Sequence, residues 1–262
     1  MTDIAALLRI YDDQLRTDAE TPGAVSVEHL GPLRVARFPG GRGFVSYRDL
    51  GGADAGGVRD LVAAATALLT ADPGVVDAEW KTRGHDDAPG LDEALQEHGW
   101  TAGEAESVMM GPAEPLTAEV PLPDGVTLRR VTGEADVRAM SAAADEAFGD
   151  PVSERRADDL VFRVQHDPDV EVWVAEAGGR IVSSGRLEPV PGTEVAGVWG
   201  GSTLPEWRGR GIYRALTAVR ARSALRLGYT SLHSDSTEFS RPILERSGLV
   251  RVTTTTPYEW VR

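Results

Sequence analysis

Apolar residues recur with two periods along this chain, and each switch of period marks a new element. Ile4, Leu7, Leu8, Tyr11 and Leu15 share one side of a helix over 4–16. Strand-like alternation follows at 33–38 and 44–50, on either side of the glycine-rich turn 39–43. A helix over 58–70 then leads to a strand over 75–82, a helix over 91–98 and a strand over 106–111. Four prolines between 112 and 123 interrupt the pattern and place a boundary there. A second series begins with a strand at 126–130, an alanine-rich helix over 133–148 and a helix over 154–165. Hairpin strands at 170–176 and 180–188 turn about Gly178-Gly179. A buried strand over 195–199 runs into Gly200 and Gly201, which predict a bulge or a close backbone approach. The long helix that ends before Gly228 carries Ile212, Leu216, Val219, Ser223 and Leu227 on one face. Arg220, Arg222 and Arg226 fall on the other, which reads as its solvent face. A strand over 230–234, a short helix over 241–246 and a threonine-rich strand over 250–260 close this second series.

Chemistry concentrates between the buried strand and the long helix, in Thr203-Leu204-Pro205-Glu206-Trp207-Arg208-Gly209-Arg210-Gly211-Ile212-Tyr213. Gly209 and Gly211 permit a tight turn, and the helix that starts there directs unpaired N–H groups into it. The helix dipole and the side chains of Arg208, Arg210 and Arg214 add positive charge. The expected guest is a phosphorylated ligand. A Gly-x-Gly turn is weak evidence alone in a chain with 29 glycines.

The context makes it specific. Arg208, Gly211 and Tyr213 fall on a spacing that resembles the signature of the GCN5-related N-acetyltransferase (GNAT) superfamily: Arg or Gln, two residues, Gly, one residue, Gly or Ala. The order of elements from Val126 to Arg262 resembles that family's fold, and 243–249 resembles its leucine-tyrosine-x-x-x-glycine-phenylalanine segment. The resemblance implies an α/β fold with a mixed, largely antiparallel sheet flanked by helices. It implies acetyl-CoA as cosubstrate, with Gly201, Ser202 and Thr203 offering backbone groups to the pantetheine arm. Arg208, Gly209, Arg210, Gly211, Ile212 and Tyr213 would wrap the pyrophosphate. Several positions depart from the family pattern. Tyr213 replaces a small residue, Leu244 stands where many members carry the tyrosine acid, and Thr237 replaces an asparagine. Gly197 occupies the place of a glutamate base. Glu194, on the same strand, is the nearest carboxylate and the candidate catalytic residue; His233 beside Asp235, or ordered water, are the alternatives. Trp173, Trp199 and Tyr258 are candidates for an acceptor pocket, with a place in the core as the rival reading.

The elements before the prolines repeat the order of the second half of this fold, so residues 1–115 read as a degenerate, incomplete GNAT-like domain and 124–262 as the acetyl-CoA-binding domain. In the first, Gly51 to Gly57 stands where the phosphate turn would be and carries Asp54 instead of arginines. A formal net charge of −14 argues against a nucleic-acid partner. With no cysteine there is neither a disulfide framework nor an acyl-cysteine intermediate, and no metal site is expected. No stretch approaches the ~20 apolar residues of a membrane span, so the expectation is a cytoplasmic protein. The implied reaction is direct transfer of acetyl from acetyl-CoA to an amine of a small molecule or peptide. The alternatives are a non-catalytic acyl-CoA-binding or regulatory protein, and a mycothiol synthase-like acetyltransferase.

Overall fold

The computed structural model describes residues 3–262. The chain divides into two compact units, one made of residues 3–108, 236–238 and 251–262, the other of 109–235 and 239–250. Among the described residues no helix is long and apolar enough to cross a membrane.

In the first unit, α1 (Ile4–Ile10) is capped by Asp3, whose carboxylate accepts the Ala6 N–H at 3.0 Å. The expected single helix to Arg16 instead widens at Tyr11 into a π-helical turn. Strands β1 (Ser26–Leu30), β2 (Leu33–Arg37) and β3 (Arg42–Tyr47) form an antiparallel meander. The sequence pattern does not predict β1, because its side chains are largely exposed and show no burial alternation. Helix α2 (Ala55–Ala71) crosses over to β4 (Asp77–Arg83), which lies parallel to β3. Helix α3 (Leu91–Glu97) and the short β5 (Thr101–Ala102) follow, and then β6 (Glu106–Pro112), whose residues from Met109 onward belong to the second unit. The core joins Val58, Val62 and Leu69 of α2 to Leu33, Val45, Tyr47, Trp80 and Trp100.

The second unit contains β7 (Val126–Val131), α4 (Glu134–Phe148), α5 (Glu154–His166), β8 (Glu171–Ala177), β9 (Arg180–Pro189), β10 (Val195–Thr203), α6 (Ile212–Arg226), β11 (Ser231–Ser236) and α7 (Arg241–Arg246). The strand order is β7-β8-β9-β10-β11, antiparallel except for the parallel pair β10/β11. Two apolar layers form: Met140, Leu160, Val172 and Val174 beneath α4 and α5, and Leu187, Val198, Ala221, Leu232 and Leu244 beneath α6 and α7.

The final strand, β12 (Val250–Val261), behaves differently from its sequence reading. It pairs antiparallel with β4, from Thr255↔Arg83 to Val261↔Asp77, and so belongs to the first unit. The threonine-rich pattern specifies a strand but says nothing about its partner. Tyr258 joins the first unit's core, and Trp260 packs beside Trp100 at 6.5 Å between ring centroids.

Candidate cofactor and acceptor site

The order strand, glycine turn, helix puts the phosphate-turn residues at one end of β10. Gly209 and Gly211 both take positive φ, 74° and 82°, a region that β-carbon-bearing residues rarely occupy. Gly211 is also the N-cap of α6, and no side chain caps that helix. The first helical bond runs from the Ala215 N–H to the Gly211 carbonyl, so the N–H groups of Ile212, Tyr213 and Arg214 lie outside the ladder. Of the arginines around the turn, Arg208 is committed elsewhere. It donates to the Thr203 carbonyl (3.0 Å) and the Ala147 carbonyl (2.6 Å), pinning the turn to β10 and to the end of α4. Arg210 lies over the Trp207 ring at 4.9 Å, and Arg214 is exposed. Backbone donors and two cationic side chains thus form a cradle suited to a pyrophosphate.

Next to the cradle β10 leaves its neighbours. Its parallel register with β11 covers only Val195↔Ser231 to Gly197↔His233, and its antiparallel register with β9 shifts between Trp199 and Ser202. The run from Trp199 to Thr203 therefore presents a strand edge to which an extended, amide-bearing ligand can add. Ser202 and Thr203 use their own hydroxyls inwardly, on Ser184 (2.8 Å) and Ser183 (2.8 Å). Gly201 has a steric reason: an added Cβ would lie 2.5 Å from the Tyr213 ring. The bulk gained at 213 is offset by the side chain omitted at 201.

Beneath this edge lies a residue that the sequence pattern misplaces. Arg220, assigned to the solvent face of α6, is 1 % exposed. Its guanidinium occupies space left by Gly185, where a Cβ would come within 2.6 Å, and donates to the carbonyls of Leu216 (3.1 Å), Arg186 (3.1 Å) and Trp199 (3.4 Å) and to the Thr217 hydroxyl (3.3 Å). No carboxylate pairs with it among the described residues. Burial lowers its pKa, and burial raises that of the neighbouring Tyr213 phenol, which Arg220 partly opposes. Arg220 binds one carbonyl on β9 and one on β10 beside the point where their register shifts. Periodicity alone could not find it, because one long side chain reaching a glycine gap leaves no repeating trace.

On the opposite face Gly197 has no room for a side chain: a Cβ there would collide with the Trp199 indole nitrogen. Across the strands Gly197 is flanked by Glu188 on β9 and His233 on β11. Glu188 is held by Arg186 (2.8 Å) and Arg163 (3.0 Å). His233 packs edge-on against Trp199, 5.1 Å between centroids, with Asp235 3.2 Å from its Nε2. Glu194 is not brought to this group. It is exposed in the turn ahead of β10, nine residues and roughly 30 Å of extended chain before Thr203. Leu244 is fully buried in the apolar layer beneath α6 and α7 and supplies no proton. Of the three aromatic acceptor-pocket candidates, Trp199 stands over Gly197, Trp173 donates to Glu171 at 2.8 Å, and Tyr258 lies in the first unit's core.

This arrangement coincides with a family match. Residues 137–248, which include the cradle and the parted strands, match the model of the Acetyltransferase (GNAT) family. Over this segment the chain is similar to the GNAT acetyltransferases. An Escherichia coli (strain K12) relative described as the uncharacterized N-acetyltransferase YjgM is 26% identical over 136 residues, 50% of this chain and 77% of its own. Among solved structures, a GCN5-related N-acetyltransferase from Kribbella flavida superposes with a TM-score of 0.68 at 18% identity, covering 99% of this chain and 96% of that one. A tandem GNAT protein from the clavulanic acid biosynthesis pathway superposes with a TM-score of 0.62 at 14% identity, covering 98% and 95%. Both share their fold with this chain.

Proposed function

We propose that the second unit binds acetyl-CoA and transfers its acetyl group directly to an amine of a small molecule or peptide, while the first unit binds no CoA. The observation that carries this reading is the uncapped start of α6 at Gly211 beside a strand edge that has parted from β11. The pyrophosphate would rest on the backbone N–H groups of Gly209 to Tyr213, with Arg210 and Arg214 closing over it and Arg208 holding the turn in shape. Backbone groups of Gly201, Ser202 and Thr203 would align the pantetheine arm, and one N–H of this edge would polarise the acyl carbonyl. When bound, acetyl-CoA supplies the activated acyl carbon. In the first unit the matching helix α2 is capped by Asp54, whose carboxylate accepts the Gly57 N–H at 2.9 Å. A negative charge already fills that helix N-terminus.

The acceptor amine must lose a proton, and Gly197 has no side chain to take it. We assign that role to His233, which Asp235 orients and which sits directly across from Gly197. Glu194 is the competing candidate. His233→Gln should lower kcat at least tenfold with CoA affinity unchanged, and Glu194→Gln should leave it within twofold; the reverse pattern transfers the role to Glu194. The whole reading is tested by thiol release from acetyl-CoA over a panel of amines, together with calorimetry. Wild type should bind one CoA per chain, and Gly211→Glu, which places bulk and negative charge in the cradle, should abolish binding in a folded protein. Unchanged affinity in Gly211→Glu removes the site from this turn. Tight CoA binding without turnover on any amine favours a binding protein, a reading to which the loss of side-chain chemistry at Gly197 and Leu244 lends weight.

A further inference from the structure

A second guanidinium accompanies Arg220 at the break in β10. Arg186, the cross-strand partner of Trp199, stands on the opposite face of the sheet and fills the space beside Gly200. That glycine takes a φ of 58°, and a Cβ on it would lie 2.6 Å from the Arg186 Nη1, so the backbone is shaped around the arginine. Gly200 is exposed, as is 26 % of the Arg186 side chain, which puts the guanidinium at an opening.

Its charge is not matched. The Arg186 Nε donates to one oxygen of Glu188 at 2.8 Å, and the other oxygen pairs with Arg163 of α5 at 3.0 Å. The buried Glu188 carboxylate is thereby shared between two cations, and neither Nη of Arg186 makes a hydrogen bond among the described residues. Arg220 brings a third cation to the same break; burial leads in lowering its pKa, and the charge of Arg186 adds to that. In a chain of net charge −14, this stretch of β9 and β10 is locally positive.

The place is as specific as the charge. Glu188, Gly197 and His233 form one row across β9, β10 and β11, and Arg186 with Trp199 forms the next row on the same face. Arg186 therefore stands one strand, about 5 Å, from the backbone edge at Trp199 and on the face that carries His233.

We propose that the acceptor is an amino carboxylate, whose carboxylate is gripped by the two Nη groups of Arg186 beside Arg163 and whose amino group is thereby held near His233. The proposal rests on the acetyl-transfer reading above and narrows its acceptor. A guanidinium fork offers parallel N–H groups that match the two oxygens of a carboxylate. A polyamine is the wrong guest, because two cations around a single carboxylate already in use repel it.

Calorimetry on the full chain saturated with CoA tests this without requiring turnover. The standard amino acids are titrated, each beside its amide, in which only the carboxylate is replaced. At least one amino acid should bind tenfold or more tightly than its amide. Arg186→Gln should bring that ratio towards one with CoA affinity unchanged. Arg163→Gln, at a partly exposed helix position, should lower the ratio too and decides the matter where Arg186→Gln does not fold. The proposal is overturned if amides bind as well as the acids, if neither binds, or if the ratio survives both substitutions. It is overturned as well if Arg186→Gln weakens CoA as much as the amino acid, which would give this arginine to the cosubstrate. Thiol release confined to amines without a carboxylate keeps the transfer reaction and removes the proposal. The expected binding ratio with no thiol release from any pair keeps the carboxylate site and removes the transfer reaction.

Discussion

Arg220 is the residue whose environment departs furthest from its chemical type, a guanidinium surrounded by carbonyls and a hydroxyl with no acid nearby. Removing it leaves the Arg186 and Trp199 carbonyls unanswered and opens a cavity against Gly185. Arg220→Ala should therefore cost about 3 kcal/mol or more. Arg220→Met fills the space and removes the charge that burial disfavours, so it should recover part of that loss, read from denaturant midpoints. The buried tyrosines give a pH signature of definite sign. Tyr47 and Tyr213 are raised by burial, and Tyr258, where burial leads and Asp92 adds, is pushed up to about 12. Above pH ~10 the unfolded chain loses these protons first, so it binds fewer than the native state and stability falls with rising pH. The slope should approach about 1.4 kcal/mol per pH unit for each such tyrosine between pH ~10 and its folded value. Equilibrium unfolding at pH 9, 10 and 11 checks this, and Tyr213→Phe should flatten the curve without reversing it.

At the scale of elements, local rules explain why so much was legible. The cradle is written in the spacing of Gly209 and Gly211, because only a positive φ at both positions makes that turn. Helix limits follow from caps, as Asp3, Asp54 and Ser153 each accept an N–H in the first turn of their helices. What stayed illegible depends on neighbours distant in sequence. Nothing in the local pattern says that the Trp199 side chain folds back over Gly197, that Arg220 finds a gap at Gly185, or that polar β1 finds β2. The Gly197 case yields a sharp expectation. Gly197→Ala forces the indole aside and should destabilise the protein by about 1–3 kcal/mol. Trp199→Ala should make the same change at 197 nearly neutral. A double-mutant cycle from thermal unfolding measures the coupling, and additive costs would mean that the indole does not hold position 197 closed.

At the scale of the whole molecule, the division of the chain matters most. The sequence suggests a cut in the proline-rich segment, with residues 1–115 standing before it. That fragment lacks β12, which in the structure pairs with β4 over seven residues and supplies Tyr258 to the core around Trp80 and Trp100. Without it β4 becomes an open edge, and an apolar layer that includes two tryptophans loses its cover. Tyr258 alone brings a buried aromatic side chain, a contribution of about 3–5 kcal/mol by its truncation cost, comparable to the entire stability of many domains. The isolated fragment 1–115 should therefore show no cooperative unfolding transition. The informative comparison is a chain of residues 3–108 joined by a flexible glycine-serine linker to 251–262. It restores the β4–β12 ladder without the rest of the second unit, and it should unfold cooperatively with the tryptophan fluorescence of a buried cluster. If 1–115 alone proves as stable as this linked chain, β12 is an accessory to the first unit. If neither folds, the first unit draws its stability from residues 109–250 as well, and the ladder is insufficient.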